Sequence, residues 1–148
     1  ASAGGIGVIT PDLTPEEAGP WIEASDAAGI DRVFLVAPSS SDERIDVVCG
    51  ITTGFVYAAS LMGVTGVKSV SSAAPELVAR TRPRTPLPVA VGLGVSTADQ
   101  AADVAQYADG VIVGSAFVKQ LLEAPTPAEG VAAVGRLAAE LAEGVRRR

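Results

Sequence analysis

Three glycine-rich stretches hold the residues best suited to chemistry in this chain. The first, Gly54-Phe55-Val56-Tyr57-Ala58-Ala59-Ser60, runs into Met62-Gly63-Val64-Thr65-Gly66. The second is Val89-Ala90-Val91-Gly92-Leu93-Gly94-Val95-Ser96, and the third is Gly110-Val111-Ile112-Val113-Gly114-Ser115-Ala116. Each reads as a parallel strand handing over to a helix. There, unpaired backbone N–H groups and the positive end of the helix dipole favour an anion. Glycine lets the backbone approach it without a side chain in the way. One such turn says little. Three in consecutive strand–helix units point to a phosphate, because the last two loops of a β/α barrel often build a phosphate site.

The elements that must position these turns alternate along the whole chain, which reads as one domain over residues 1–148. Short β-branched runs predict buried parallel strands at 6–9, 33–37, 55–59, 89–91 and 111–113. Thr14-Pro15-Glu16-Glu17 offers a cap, a first-turn proline and early acids, so it predicts a helix that Gly29 ends. Pro20 within it predicts a kink or a late start. Ser41-Asp42-Glu43 opens a shorter helix, and 72–80 and 97–107 supply two more. The last helix shows one apolar face, with Val131, Val134, Leu137, Leu141 and Val145 at helical spacing. These are five strand–helix units. A closed eight-stranded barrel takes about 250 residues, so roughly three units are wanting, whereas an open doubly wound sheet fits five strands without loss. Pattern alone leans to the open sheet; the site motifs lean to the barrel.

Composition narrows the function classes. The 148 residues are 48% apolar, so a sizeable core fits. Eleven basic against 17 acidic residues give a formal charge of −6, which argues against a nucleic-acid or membrane-surface protein. Cys49 is the only cysteine, so no internal disulfide forms, as expected of a cytoplasmic protein. There is no histidine, which removes His-based triads and His-rich metal sites. No run of eighteen apolar residues appears, and Ala1-Ser2-Ala3-Gly4-Gly5 lacks the features of a signal peptide. The only methionine is Met62, and the chain opens almost directly into a strand, which reads as a piece of a longer protein.

Each motif also has a plainer reading. The stretch from Tyr57 to Val67 suits a loop that closes over a ligand, with Gly63 and Gly66 as hinges and the Thr65 hydroxyl as a latch, or an ordinary connection. Gly92-Leu93-Gly94-Val95-Ser96-Thr97 lacks the third glycine and the later acid of a dinucleotide site. Gly94 with Ser96 and Thr97 suits a phosphate, and Thr97 is equally a good N-cap. Ser115 suits a helix cap, a phosphate donor, or both. Asp12 follows the first strand, where barrel enzymes place functional groups, but an aspartate there is also a common turn former. Asp109 precedes its strand and reads as a turn residue. Cys49 and Trp21 read as packing residues.

The ordered set of Gly54-Phe55-Val56-Tyr57, Gly63-Val64-Thr65-Gly66, Gly92-Leu93-Gly94-Val95-Ser96 and Gly114-Ser115-Ala116, with Thr10-Pro11-Asp12 upstream, resembles the tryptophan synthase alpha subunit, in an actinobacterial-like form. The resemblance covers the whole chain and corresponds to the family's C-terminal portion, strands 4 to 8. It implies a (β/α)8 TIM barrel that cleaves indole-3-glycerol phosphate to indole and glyceraldehyde 3-phosphate. It implies phosphate contacts at Gly66, Gly94, Gly114 and Ser115, and an indole pocket lined by Leu93 and Ile112. It implies supporting catalytic roles for Tyr57, Thr65 and Asp12: beside the catalytic carboxylates, on the loop over the site, and in contact with that loop and coupling to the partner. No cofactor or metal is expected in this subunit; pyridoxal phosphate belongs to the partner beta subunit. The family's acid–base carboxylates lie in the N-terminal strands, which this chain lacks, so the isolated 148 residues are expected to be inactive and prone to self-association through their open edges.

Overall fold

The computed structural model describes residues 1–59, 73–92 and 94–147. Among these residues there are six short strands: β1 (Gly7–Ile9), β2 (Asp31–Val33), β3 (Leu35–Val36), β4 (Val56–Ala59), β5 (Val89–Gly92) and β6 (Gly110–Ile112). Every pairing is parallel. Only Phe34 separates β2 from β3, and its carbonyl accepts from the Tyr57 N–H at 3.1 Å. The 31–36 segment therefore pairs with β1 through its first half and with β4 through its second. The result is five strand segments, as the sequence predicts.

Strand order separates the two architectures that the pattern left open. A doubly wound sheet reverses its order after its first units. Here β1-β2 and β3-β4-β5-β6 run in sequence order, each strand added on the same side of the last. That is the winding of a β/α barrel.

Alternation along the strands sorts the residues into two faces. Phe34, Val36, Val56, Ala58, Val89 and Val91 are almost fully buried against Ile45, Val48, Leu77, Val78, Ala101, Val104 and Leu141 of the helices. Leu35, Tyr57, Ala59, Gly92, Gly110 and Ile112 occupy the other face and are only partly covered. The core of the described residues thus lies between sheet and helices. Cys49 belongs to it and Trp21 packs against it, as expected.

Among the described residues six α-helices accompany the strands: α1 (Gly19–Ala28), α2 (Asp42–Ile51), α3 (Ala73–Thr81), α4 (Ala98–Ala105), α5 (Ser115–Glu123) and α6 (Pro127–Val145). Local chemistry sets most of their ends. The Ser41 side chain accepts from the Arg44 N–H at the start of α2, and Gly29 closes α1 in the left-handed region at φ 62°. Thr97 and Gln100 form a capping box at α4. The helix expected from Thr14 is corrected. Thr14 to Glu17 close a separate turn, with the Glu17 N–H bonded to the Thr14 carbonyl at 3.1 Å, and α1 starts at Gly19. Of the two outcomes that Pro20 left open, the late start is the one found: Pro20 has no N–H for an interior helix bond but suits a first turn. Val131 is also corrected, being 67% exposed rather than on the packed face of α6. The inward position of that turn is Gly130, which is buried.

Ion pairs tie α2 to the α3 end. Asp42 bonds Arg80 at 2.8 Å and Arg84 at 2.8 Å, and Arg84 also reaches Asp46 at 3.0 Å. Arg80 further donates to the Ser40 carbonyl at 2.6 Å. The Arg80 hydrogen bond holds the Asp42 carboxyl below its ordinary value of 3.8, opposed by partial desolvation and helped by the nearby arginine charges. A depressed carboxylate contributes stability above its unfolded pKa and loses it as pH falls through its folded one. The thermal midpoint of Asp42→Asn should therefore lie below that of the parent at neutral pH, and the gap should close as pH falls below 3.8. A pH-independent gap in a melting series would contradict this.

Candidate functional site at the strand C-terminal ends

Two rows of inward residues lead to the site. Register places Leu35, Tyr57, Ala90 and Gly110 side by side, and Ala59, Gly92 and Ile112 in the row nearer the strand ends. The Tyr57 ring leans from its own row across Gly92. A Cβ added at Gly92 would stand 2.0 Å from the Tyr57 hydroxyl oxygen and 2.5 Å from Cζ. Gly92 is thus the gap that accepts the tyrosine. Burial pushes the Tyr57 phenol above its ordinary value, so at neutral pH it is an uncharged group able to donate a hydrogen bond. Ile112 completes the row with its side chain half-buried.

Beyond β5 the backbone enters the left-handed region at Gly94, φ 66°, with no atom of the described residues within 4 Å of a would-be Cβ. A side chain there is strained by the backbone. The next polar groups are already engaged. Gln100 Oε1 accepts from the N–H of Ser96 at 2.9 Å and of Thr97 at 3.3 Å, and Thr97 Oγ1 accepts from the Gln100 N–H at 3.3 Å. Of the two readings open for Ser96 and Thr97, the structure shows the cap.

The turn after β6 differs. Gly114, not Ser115, occupies the cap position of α5, and no side chain caps that helix. Ser115 is its first helical residue, so the capping role read for it is corrected: a capping side chain must come from the residue before the helix. The N–H groups of Phe117 and Val118 bond the Gly114 carbonyl. The first-turn N–H groups ahead of them, with the Ser115 hydroxyl, form the uncapped positive end. Since β5 and β6 are paired neighbours, the turns at Gly94 and Gly114 issue from adjacent strands.

Asp12 lies in an exposed turn after β1 and makes no hydrogen bond to a described residue. Its loop is nonetheless anchored. The Thr10 N–H bonds the Val33 carbonyl at 3.1 Å, Leu13 packs on the core, and Glu16 pairs with Arg44 at 2.7 Å. Asp109 accepts from the Val89 N–H at 2.9 Å and from Arg82, which bears out a structural role. Gly63, Thr65, Gly66 and Leu93 lie outside the described residues. Two contributions escaped sequence reasoning: Gly92 as the seat of the tyrosine, and Arg32 as a buried tie. The glycine gave a signal only once the register with β4 was known. Among the described residues no group of His, Cys, Asp or Glu is placed to hold a metal, and no helix is long and apolar enough to cross a membrane.

Parallel strands in sequential order, a helix layer on their outer face, and glycine turns at adjacent strand ends define a β/α-barrel protein. The family model described as tryptophan synthase alpha chain matches residues 1–146. A tryptophan synthase alpha chain from Acidothermus cellulolyticus is 64% identical over 148 residues, with 99% of this chain and 55% of the relative covered. A structure of Mycobacterium tuberculosis tryptophan synthase aligns at TM-score 0.87 and 54% identity, covering 99% of this chain and 54% of that one. A structure of the tryptophan synthase complex from Pyrococcus furiosus aligns at TM-score 0.80 and 33% identity, covering 98% and 56%. The chain belongs to the tryptophan synthase alpha chain family, and it spans about half the length of the curated relatives it matches.

Proposed function

We propose that this chain supplies the phosphate-holding portion of a carbon–carbon lyase that cleaves indole-3-glycerol phosphate to indole and glyceraldehyde 3-phosphate. The observation that carries the reading is the placement of the Gly94 and Gly114 turns on adjacent paired strands within a chain of this family. In this reading the Gly94 turn and the uncapped N-terminus of α5, with Ser115, hold the phosphate, joined by Gly66. Ile112 and Leu93 border the indole, and Tyr57 presents its neutral phenol beside the carbons between ring and phosphate.

The cleavage is a retro-aldol step. The bond from indole C3 to the glycerol carbon breaks, a proton arrives on C3, and the neighbouring hydroxyl gives up its proton as it becomes the aldehyde. Positioned acids and bases carry those protons. The described site face contributes the phenol of Tyr57 and backbone N–H groups, so the acid–base carboxylates are assigned to the remainder of the barrel. Thr65 is assigned to the loop over the site. Asp12, exposed on its anchored loop, is assigned to coupling with a beta subunit that holds pyridoxal phosphate; a Pyrococcus furiosus relative is a tryptophan synthase complex. No cofactor is assigned to this chain, and the cytoplasm is its compartment.

Exposed apolar residues support pairing with the rest of the barrel or, failing that, with another copy. Ile6 is 84% exposed on one flank and Leu122 79% exposed on the other. The direct test is a titration of the chain with indole-3-glycerol phosphate and with inorganic phosphate. Tighter binding of the indole compound is expected. Equal affinity for both would reduce the site to a bare anion cradle.

A further inference from the structure

Among the described residues, α6 is the element that packs against both α4 and α5, the helices that follow the two glycine turns. Its contacts with them are unusually direct. Near its C-terminal end Gly144 is buried, and a Cβ there would stand 2.1 Å from the Ala98 carbonyl oxygen and 2.9 Å from the Ala98 Cα. Ala98 is the first residue of α4, next to the Thr97 cap and four positions beyond Gly94. Arg147 adds an ion pair to Asp99 in the same turn at 2.7 Å. Near its N-terminal end the buried Gly130 meets α5: a Cβ there would lie 3.3 Å from Leu121 Cα and 3.3 Å from Ala124 Cβ.

We propose that α6 is a strut that fixes the spacing between the two phosphate turns, with Gly144 and Gly130 as positioning residues. The inference rests on the phosphate reading given above. Its physical basis is that the Gly144 contact is made to the backbone of α4, which cannot swing aside, while the Gly130 contact is made in part to the α5 backbone at Leu121 Cα, with Leu121 Cδ2 also at 3.3 Å. A methyl group at Gly144 must push back the first turn of α4, and with it the cap and the Gly94 turn, while the start of α5 stays in place. An anion bonded to both turns then loses its fit to one of them. A side chain acting only in packing gives a different result, lowering the unfolding midpoint without changing the affinity of the folded protein.

The test is calorimetric titration of the chain with inorganic phosphate, well below the unfolding midpoint, on the parent, Gly144→Ala and Ile45→Val. Ile45 is fully buried on α2, which packs on β3 and α3, so its truncation destabilises without altering the α6 contacts at Gly144 and Gly130. Gly144→Ala should weaken phosphate binding about tenfold, since small misplacements of binding groups are costly. Ile45→Val should leave affinity unchanged. Parent-like affinity in folded Gly144→Ala overturns the proposal. Should Gly144→Ala fail to fold, Arg147→Ala removes the exposed ion pair without overcrowding and should weaken binding about twofold; unchanged affinity there overturns it as well. A parent chain that takes no phosphate overturns the site reading itself, and the strut with it. That result is distinct from a binding parent with indifferent variants.

Discussion

Gly92→Ala should cut lyase turnover about a hundredfold in a barrel completed with the N-terminal half of the Acidothermus relative. The added methyl would overlap the Tyr57 ring at 2.0 Å from the hydroxyl oxygen, 2.5 Å from Cζ and 2.7 Å from Cε1. No real Cβ sits at such distances, so either the ring leaves its place or β4 and β5 separate. The strands are the harder to move, being paired over four residues each with Val56, Ala58, Val89 and Val91 fully buried behind them. The ring therefore swings, and its phenol leaves the position it holds beside the site. Overcrowding of this kind costs about 1–3 kcal/mol of stability. Truncating the ring distinguishes the two effects. Tyr57→Ala removes the obstacle, so the double variant should recover most of the lost stability but not the turnover. A strongly non-additive cycle in stability is the expected signature. Full turnover in Gly92→Ala would show that the tyrosine position is immaterial.

Arg32→Ala should destabilise the chain by about 3 kcal/mol, read from urea unfolding. Arg32 is only 8% exposed although it stands on β2 beside the exposed Asp31. Its Nε donates to the Ile51 carbonyl at 3.2 Å, and its guanidinium donates to Ser25 Oγ at 2.8 Å, to the Ile22 carbonyl and to the Asp26 carboxylate. One side chain thus ties β2 to the last turn of α1 and the end of α2. Asp26 is 64% exposed, so water screens the ion-pair share. The larger share comes from the buried partners. Ser25 is fully buried, and removal of the arginine leaves its hydroxyl and the Ile51 carbonyl short of a donor over an unfilled space. Arg32→Lys keeps the charge but cannot reach all these acceptors at once, so it should recover only part of the loss. A loss below about 1 kcal/mol in Arg32→Ala would mean that solvent replaces those bonds at little cost.

What the sequence made legible was local. Ser41, Thr97 and Gly29 end helices by interactions within a few residues, so their chemistry could be read along the chain. The same holds for the short β-branched runs at 55–59 and 89–91. Strand order was not legible, because which edge a new strand joins depends on the fold as a whole. Pro20 left two outcomes open, and the turn bonds at Thr14 and Pro15 decided between them. Val131 matched the helical period of α6, yet the close approach of α5 gives the inward place to Gly130. At the site, Tyr57 and the glycine turns stood out by type. The seat of the tyrosine at Gly92 required the pairing of Ala59 with Gly92, a relation between residues 33 positions apart. Of the roles left open for Ser115, the cap falls away because Gly114 takes that place without a side chain.

The most direct test of the central claim, that these residues hold the phosphate end while the acid–base groups lie in the rest of the barrel, is indole release from indole-3-glycerol phosphate. The 148 residues are assayed alone and together with the N-terminal half of the Acidothermus relative. The expected result is no indole from the chain alone and clear release from the mixture, abolished when Gly94 and Gly114 both carry bulky substitutions. Release by the chain alone at a rate near that of the full-length relative would contradict the assignment, as would a well-folded mixture that releases none.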